Sequence, residues 1–132
     1  MNFNEILPAE KVRNINPVVL AFVGDAVYTL FVREKLVANG DFKTGSLNGM
    51  AAKVVCATAQ AKRAERISTF FTTAENDVFR RARNAKKGTR AKNASVADYN
   101  ASTGFEAVLG YLYLIGDYER LNELLNFEEE DK

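Results

Sequence analysis

The 132-residue chain contains no histidine and a single cysteine, Cys56. Histidine is the commonest general base and metal ligand, and a disulfide or a cysteine-based zinc cluster needs more than one cysteine. The sequence therefore excludes histidine chemistry, internal disulfides and zinc clusters. The remaining possibilities are catalysis with hard cations bound by carboxylates, acid and base catalysis by lysine or tyrosine, or no catalysis. Cys56 lies in an apolar stretch, and we interpret it as a plain buried thiol.

Long hydrophobic runs are also missing, because no segment approaches the roughly 18 apolar residues of a membrane span. The N-terminus shows no basic-then-apolar signal sequence. With 47% apolar and 27% charged residues, the composition is typical of one soluble globular domain. We expect residues 1–127 to form this domain and the acidic residues 128–132 to be a disordered tail. We also expect a cytoplasmic protein without membrane contact.

The net charge of +1 arises from an uneven distribution. One stretch, here called the basic segment, holds seven basic residues and no acid, which leaves eleven bases against seventeen acids elsewhere. Its basic residues are Arg80, Arg81, Arg83, Lys86, Lys87, Arg90 and Lys92. Phosphate backbones attract such a stripe, so we predict that it binds nucleic acid. The alternative is a solvated helix end, where the helix dipole favours cations.

Helix signals begin early in the chain. Asn16 followed by Pro17 is an N-cap with proline at the first helical position, and it predicts a long helix that ends at about Val37. The following stretch is rich in alanine, glutamine, lysine and arginine, with small residues at helical spacing. It predicts a second long helix over about 47–71.

Further helix signals follow, and we find no convincing strand. The spacing of Thr72 and Glu75 is that of a capping box, which predicts a helix that ends before a basic loop at 86–90. Ser95 predicts the start of another helix, which ends near Gly116 and is followed by a short amphipathic helix. The predicted fold class is therefore all-α.

Two carboxylates, Asp25 and Glu106, interrupt helical runs that are otherwise apolar nearly all round. We expect both to enter a packed interior, where an unpaired charge is strongly destabilising. Either a shared divalent cation or basic side chains must compensate them, and this choice decides whether the protein is an enzyme. The basic candidates are Arg13, Lys53 and Arg63. Gly24, beside Asp25, allows close approach by another backbone or a ligand.

The segments around these carboxylates resemble a known enzyme family. Residues 22–27, Phe-Val-Gly-Asp-Ala-Val, resemble the second half of the ribonuclease III signature. Residues 103–114, Thr-Gly-Phe-Glu-Ala-Val-Leu-Gly-Tyr-Leu-Tyr-Leu, are similar to the other catalytic helix of that family, and residues 44–47 resemble the start of its intervening helix. With residues 84–86 and 98–104, and without a following double-stranded RNA-binding domain, the chain resembles the Mini-ribonuclease III subfamily.

The resemblance implies the helical ribonuclease III endonuclease-domain fold and a bacterial homodimer that cuts double-stranded RNA with Mg²⁺, in maturation of the 23S ribosomal RNA precursor. It implies Asp25 and Glu106 as catalytic residues and metal ligands. Full-length relatives carry acids at the positions of Val18, Ala21 and Thr103, so we expect one tightly held ion, with any second ion arriving with RNA. Magnesium keeps several water ligands, so two carboxylates and a phosphate oxygen are enough protein and substrate ligands to complete its coordination shell.

The resemblance also implies how the parts would act together. Mg²⁺ would polarise the scissile phosphate, lower the pKa of a bound water and stabilise the leaving 3′ oxygen, which leaves 5′ phosphate ends. The basic segment would hold the RNA backbone. A C2 homodimer would offer two sites for the two strands, and the apolar helix over 18–31 has more hydrophobic surface than one small domain readily covers. A central helix buried in a monomer is the alternative.

Two other functions stay open at this stage. One is a non-catalytic helical dimer that binds structured ribosomal RNA through the basic segment, with Asp25 and Glu106 in structural ion pairs; it predicts binding without Mg²⁺-dependent cleavage. The other is a protein-binding helical scaffold, which predicts little affinity for nucleic acid. A ribosomal-protein partner cannot be identified from the sequence.

Overall fold

The computed structural model describes residues 5–40, 44–88 and 94–127, and within these ranges the regular elements are all helical. The helices are α1 (Ala9–Arg13), α2 (Pro17–Ala38), α3 (Thr44–Val55), α4 (Ala57–Ile67), α5 (Thr73–Asn84), α6 (Val96–Leu114) and α7 (Tyr118–Leu125), with a 3₁₀ turn at Ser68–Phe70. The predicted all-α class is confirmed. In the described part of the chain, the helices are too short or too polar to cross a membrane. The predicted tail at 128–132 lies outside the described residues.

The helix starts form as their local sequence predicts. The side chain of Asn16 accepts a hydrogen bond from the first turn of α2, whose first residue is Pro17. Thr72 and Glu75 form a reciprocal capping box at the start of α5. The hydroxyl oxygen of Ser95 accepts a hydrogen bond from the first turn of α6. These signals succeed because each depends on hydrogen bonds that span only three residues or fewer.

The single long helix predicted over 47–71 is wrong. The chain instead forms α3 and α4, separated at Cys56, whose backbone is extended (φ −65°, ψ 156°). The thiol of Cys56 is exposed, so its interpretation as a buried thiol is also wrong. Alanine, lysine and glutamine on both sides favour a helix and led to the prediction of one continuous helix, although the near neighbours Val54, Val55 and Thr58 are weaker helix formers.

Helix α6 occupies the centre of the fold and packs against α2, α4 and α5. Ten of its residues are buried, in agreement with its sequence, which is apolar nearly all round. Phe105 has no exposed surface, and the ring of Tyr28 from α2 meets its ring edge-on at a centroid distance of 5.1 Å. Leu20, Leu109 and Leu112 fill the same core.

The crossing of α2 and α6 brings their backbones into contact. A Cβ atom added at Gly24 would lie 1.6 Å from the carbonyl oxygen of Glu106, and one added at Gly110 would lie 2.0 Å from the carbonyl oxygen of Leu20. Only glycine fits at either position. The close approach expected at Gly24 is therefore to a backbone, and it sets Asp25 beside Glu106.

Candidate active site

The two carboxylates predicted from the sequence, here called the carboxylate pair, lie together at the α2–α6 crossing, where Asp25 and Glu106 share a hydrogen bond. Glu106 is half-buried, whereas Asp25 is exposed. The expectation that both enter a packed interior is therefore wrong for Asp25. The side chains of Phe22 and Ala26 are exposed as well, so the described helices leave this side of α2 open.

Both carboxylates line one open cavity of about 480 Å³, here called the carboxylate cavity. Its walls come from α2, the end of α3, the first turn of α4 and α6. Ser102 and Thr103 line it, as small hydroxylated neighbours of Glu106. Their hydroxyls donate to the carbonyl oxygen of Tyr99 at 2.7 and 3.0 Å, so each hydroxyl oxygen can still accept a hydrogen bond.

The protonation of the carboxylate pair is set by burial and by mutual repulsion. Burial raises the pKa of Glu106, and the hydrogen bond and negative charge of Asp25 raise it further, to about 8. A hydrogen bond from Gln60 acts in the opposite direction and lowers this pKa. Burial and the neighbouring acid therefore favour the protonated form of Glu106 below about pH 8.

The basic partners that were the alternative to a cation do not compensate this pair. Within residues 5–40, 44–88 and 94–127, no lysine or arginine forms an ion pair with either carboxylate. Arg63 instead donates to the carbonyl oxygens of Leu124 and Leu125 at the end of α7. Arg13 and Lys53 are exposed. The described residues therefore provide no ion-pair partner for the carboxylate pair, which argues against the structural ion-pair hypothesis.

Gln60 is a member of the site that sequence reasoning missed. Its side chain is 2% exposed, and its Nε2 donates to Oε2 of Glu106 at 3.1 Å and to the carbonyl oxygen of Val55 at 2.7 Å. A signal was present, because Gln60 stands three residues after Ala57 and four before Ala64, on the packed face of its helix. A lone amide among alanines on such a face marks a buried polar contact.

The donor set of this cavity fits a hard divalent cation. Carboxylate oxygens are ligands that Mg²⁺ prefers, and a bound cation favours their deprotonated form. The part of the chain that the structure describes contains no cluster of three or more histidine, cysteine, aspartate or glutamate side chains. Asp25 and Glu106 would therefore supply two ligands, and the open cavity leaves room for the waters and phosphate oxygens that complete a magnesium shell.

The arginines of the basic segment lie on α5 and make local contacts. Arg80 and Arg81 pair with Asp77 at 3.0 and 3.1 Å. Arg83 places its guanidinium 5.5 Å from the centroid of the Phe79 ring. These contacts occupy part of each side chain, and Arg80 and Arg83 remain exposed. Their role in RNA binding stays a prediction.

The lysines of the basic segment differ from one another. Lys86 is exposed, whereas Lys87 is half-buried and lines the carboxylate cavity. The Nζ of Lys87 donates to two backbone carbonyl oxygens at the end of α5, at 3.0 and 2.8 Å, and burial lowers its pKa. The structure thus brings Lys87 to the carboxylate pair. Arg90 and Lys92 lie outside the described residues.

Comparison with known proteins gives consistent matches. The model of the Ribonuclease III domain matches residues 18–117. The chain is 46% identical over 121 residues to the Mini-ribonuclease 3 of Thermoanaerobacter sp. (strain X514), covering 92% of this chain and 85% of that protein. It is 49% identical over 109 residues to the Mini-ribonuclease 3 of Symbiobacterium thermophilum, covering 83% and 84%. The crystal structure of protein FN1578 from Fusobacterium nucleatum superposes with a TM-score of 0.81 at 27% identity, covering 87% and 93%.

Proposed function

The chain belongs to the ribonuclease III family and is an endoribonuclease that cleaves double-stranded RNA, and we propose that it works with Mg²⁺ held by Asp25 and Glu106. One observation carries this proposal: two acids from different helices meet in an open cavity, with no basic side chain paired to them among the described residues. Asp25 and Glu106 would hold the cation, whose positive charge would compensate theirs. The 23S ribosomal RNA precursor as substrate and the cytoplasmic location rest on the resemblance to the Mini-ribonuclease III subfamily.

Four polar residues of the carboxylate cavity have a role in this proposal. When bound, Mg²⁺ supplies Lewis-acid stabilisation of the phosphate charge and a water acidic enough to attack near neutral pH. Asp25 is exposed and would face the incoming RNA, while the half-buried Glu106 would hold the cation from the inner side of the cavity in its deprotonated form. Ser102 and Thr103 offer uncharged acceptor oxygens beside the carboxylates. Histidine is not required, which agrees with its absence from the sequence.

We propose that the basic segment holds the RNA backbone, with Lys87 nearest to the reaction. Lys87 lines the cavity that contains Asp25 and Glu106, so its ammonium group can approach a phosphate bound there. Arg80, Arg83 and Lys86 are exposed and can contact phosphates farther along the duplex. Such contacts add affinity without reading the base sequence.

We propose that the protein acts as a homodimer through the open side of α2. Val19, Phe22 and Leu30 are 50%, 80% and 54% exposed, which is unusual for apolar side chains on one helix. An apolar groove of about 610 Å³ between α2 and α7 continues this surface. Phe22 and Asp25 line both this groove and the carboxylate cavity, so a second copy bound here would border the active site. Two such sites related by two-fold symmetry match the symmetry of an RNA duplex.

A cleavage assay tests the metal proposal. An end-labelled RNA duplex is incubated with the protein in MgCl₂, in CaCl₂ or in EDTA. We expect cuts in both strands with 5′ phosphate ends in Mg²⁺ only, since the larger and looser shell of Ca²⁺ positions the attacking water poorly. A DNA duplex of the same sequence is the control. Full cleavage in EDTA would show that the reaction does not need a divalent cation.

Sedimentation tests the dimer. The wild-type protein at micromolar concentration should have about twice the chain mass of 14.7 kDa. Phe22→Glu should dissociate it, because a charge would enter the apolar contact. Met50→Glu is the matched control, since Met50 is a 42% exposed apolar residue on α3. A wild-type monomer that cuts both strands would contradict the two-site arrangement.

A further inference from the structure

We infer that Gln60 is a positioning residue, which holds the carboxylate of Glu106 in the orientation that the metal requires. This inference rests on the proposed role of Glu106 as a metal ligand. The amide belongs to the first turn of α4, is 2% exposed, and contacts Glu106 on α6 and Val55 at the end of α3. One side chain therefore ties the catalytic carboxylate to two neighbouring helices.

The chemistry of its partners determines the orientation of this amide. A single atom of Gln60 lies 2.7 Å from the carbonyl oxygen of Val55 and 3.1 Å from Oε2 of Glu106. A backbone carbonyl can only accept a hydrogen bond, so this atom must be the nitrogen. One amide hydrogen is directed to Val55, and the second is available for the carboxylate. The rotamer of Glu106 is therefore fixed from the protein side, before any ligand enters.

The break between α3 and α4 makes this arrangement possible. Val55 is the last residue of α3, where carbonyl oxygens lack a partner within the helix. The extended backbone of Cys56 separates the two helices, and α4 then begins with a turn in which the backbone nitrogen of Gln60 donates to the carbonyl oxygen of Cys56 at 3.0 Å. The side chain can thus reach back to Val55 while it points towards Glu106. In a continuous helix, the carbonyl oxygen of Val55 would instead accept a backbone hydrogen bond within that helix.

The remaining atom of this amide distinguishes positioning from ordinary packing. Oε1 of Gln60 is buried and has no hydrogen-bond partner among the described residues. A buried acceptor without a partner lowers stability, and an apolar side chain would avoid that loss. The neighbouring positions on the same helix face, Ala57, Ala61 and Ala64, are apolar. The amide is therefore better explained by its contact with Glu106 than by stability.

Gln60→Met provides the mutational test, because methionine has similar length and no donor. We expect cleavage at saturating RNA to fall about 10- to 100-fold, the usual effect of losing an outer-shell partner of a metal ligand. The dissociation constant for Mg²⁺, measured by calorimetry without RNA, should rise, while the melting temperature stays unchanged or increases. Ile67→Val is the matched control: it trims a fully buried side chain of α4 and should lower the melting temperature without changing Mg²⁺ binding.

A second measurement uses the unmodified protein, in case Gln60→Met does not fold. Gln60 is the only glutamine of the chain, so its side-chain amide gives one pair of resonances distinct from those of asparagine. Titration with Mg²⁺ should shift this pair with the same dissociation constant that calorimetry gives. In Asp25→Asn the shift should be lost or need far more Mg²⁺.

The outcomes separate this inference from the proposed function. If the wild-type protein binds Mg²⁺ while the Gln60 resonances do not move, or if Gln60→Met binds Mg²⁺ and cleaves like wild type, the positioning role is wrong and the metal site stands. If wild type does not bind Mg²⁺ at all, the proposed function fails. If Gln60→Met loses activity only to the extent that its lower melting temperature explains, the substitution is a packing defect. That result would also overturn the inference.

Discussion

Two glutamates lie inside this molecule in opposite surroundings. Glu75 on α5 is 2% exposed, and its oxygens accept hydrogen bonds from the guanidinium of Arg120 at 2.8 and 2.9 Å and from the backbone nitrogen of Thr72 at 2.9 Å. Glu106 on α6 is half-buried and faces a second acid, Asp25, and one neutral donor, with no paired cation among the described residues. The first carboxylate is compensated by a guanidinium. The second has no ion-pair partner in the part of the chain that the structure describes.

The difference shows that burial alone does not identify a functional acid. The more deeply buried carboxylate, Glu75, is structural, because Arg120 and a helix cap match its charge and lone pairs. The bond to Glu75 is the main cause that raises the pKa of Arg120. At Glu106 the neighbouring charge has the same sign, so burial and Asp25 both favour the protonated acid. The sign of the nearest charge, rather than the depth, separates the two roles.

The largest expected effect comes from neutralising the carboxylate pair. Asp25→Asn and Glu106→Gln should each reduce RNA cleavage by far more than the roughly 10- to 100-fold of an outer-shell loss, because a metal ligand is removed. Stability should not fall in Glu106→Gln, because a neutral amide replaces an acid whose protonated form burial and Asp25 already favour. Glu75→Gln is the matched control, and it should destabilise the protein while the folded fraction still cleaves. Single-turnover assays measure cleavage, and thermal melting measures stability. Near-normal turnover in either carboxylate variant would contradict the proposed site.

The next effect is on stability and concerns the compensated glutamate. Arg120→Met leaves Glu75 buried without its cation and should lower the free energy of unfolding by about 3 kcal/mol. Urea denaturation measures this change. The double variant Glu75→Gln with Arg120→Met should recover part of the loss, because no uncompensated charge remains. If the single variant costs less than about 1 kcal/mol, the pair behaves like a surface salt bridge.

A third effect is the pH dependence of stability without metal. The folded-state pKa of Glu106, about 8, lies above its ordinary value, so the folded protein binds more protons than the unfolded chain between these two values. This contribution is fully present at low pH and is lost as the pH rises through 8, by up to about 1.4 kcal/mol per pH unit. Urea unfolding in EDTA at pH 5 to 8 measures it. Glu106→Gln should flatten the slope, and stability that does not change over this window would refute the raised pKa of Glu106.

The smallest effect concerns the basic segment, outside both glutamate sites. Replacing Lys86, Lys87 and Arg90 with alanine should lower the slope of log affinity against log salt by roughly two to three, with affinity reduced alike for all duplex sequences. Filter binding in Ca²⁺ measures it, and Lys11→Ala, an exposed charge on α1, is the control. Turnover at saturating RNA should fall less than affinity does. An unchanged slope would show that these residues do not contact the RNA.

Both glutamate sites could be predicted from the sequence only in part. The capping box of Glu75 follows from its spacing to Thr72, but its partner Arg120 lies 45 residues away and no local pattern connects them. Glu106 and Asp25 stand out because they interrupt apolar helices, yet the exposure of Asp25 depends on which helices cover α2. The lone amide of Gln60 among alanines indicates a buried polar contact, but because the break between α3 and α4 was missed, its partner could not be identified from the sequence.

The sequence by itself determined the all-α class, the helix starts and the chemistry that the protein can use. Caps and proline positions act within one helical turn, and the absence of histidine leaves carboxylates as the main ligands for a hard cation. Only the tertiary structure decided which acids meet and which are compensated. Glycines at the α2–α6 crossing set Asp25 against Glu106, while the packing of α7 brings Arg120 to Glu75. Charge compensation depends on distances of a few ångströms between segments far apart in the chain, and folding alone determines those distances.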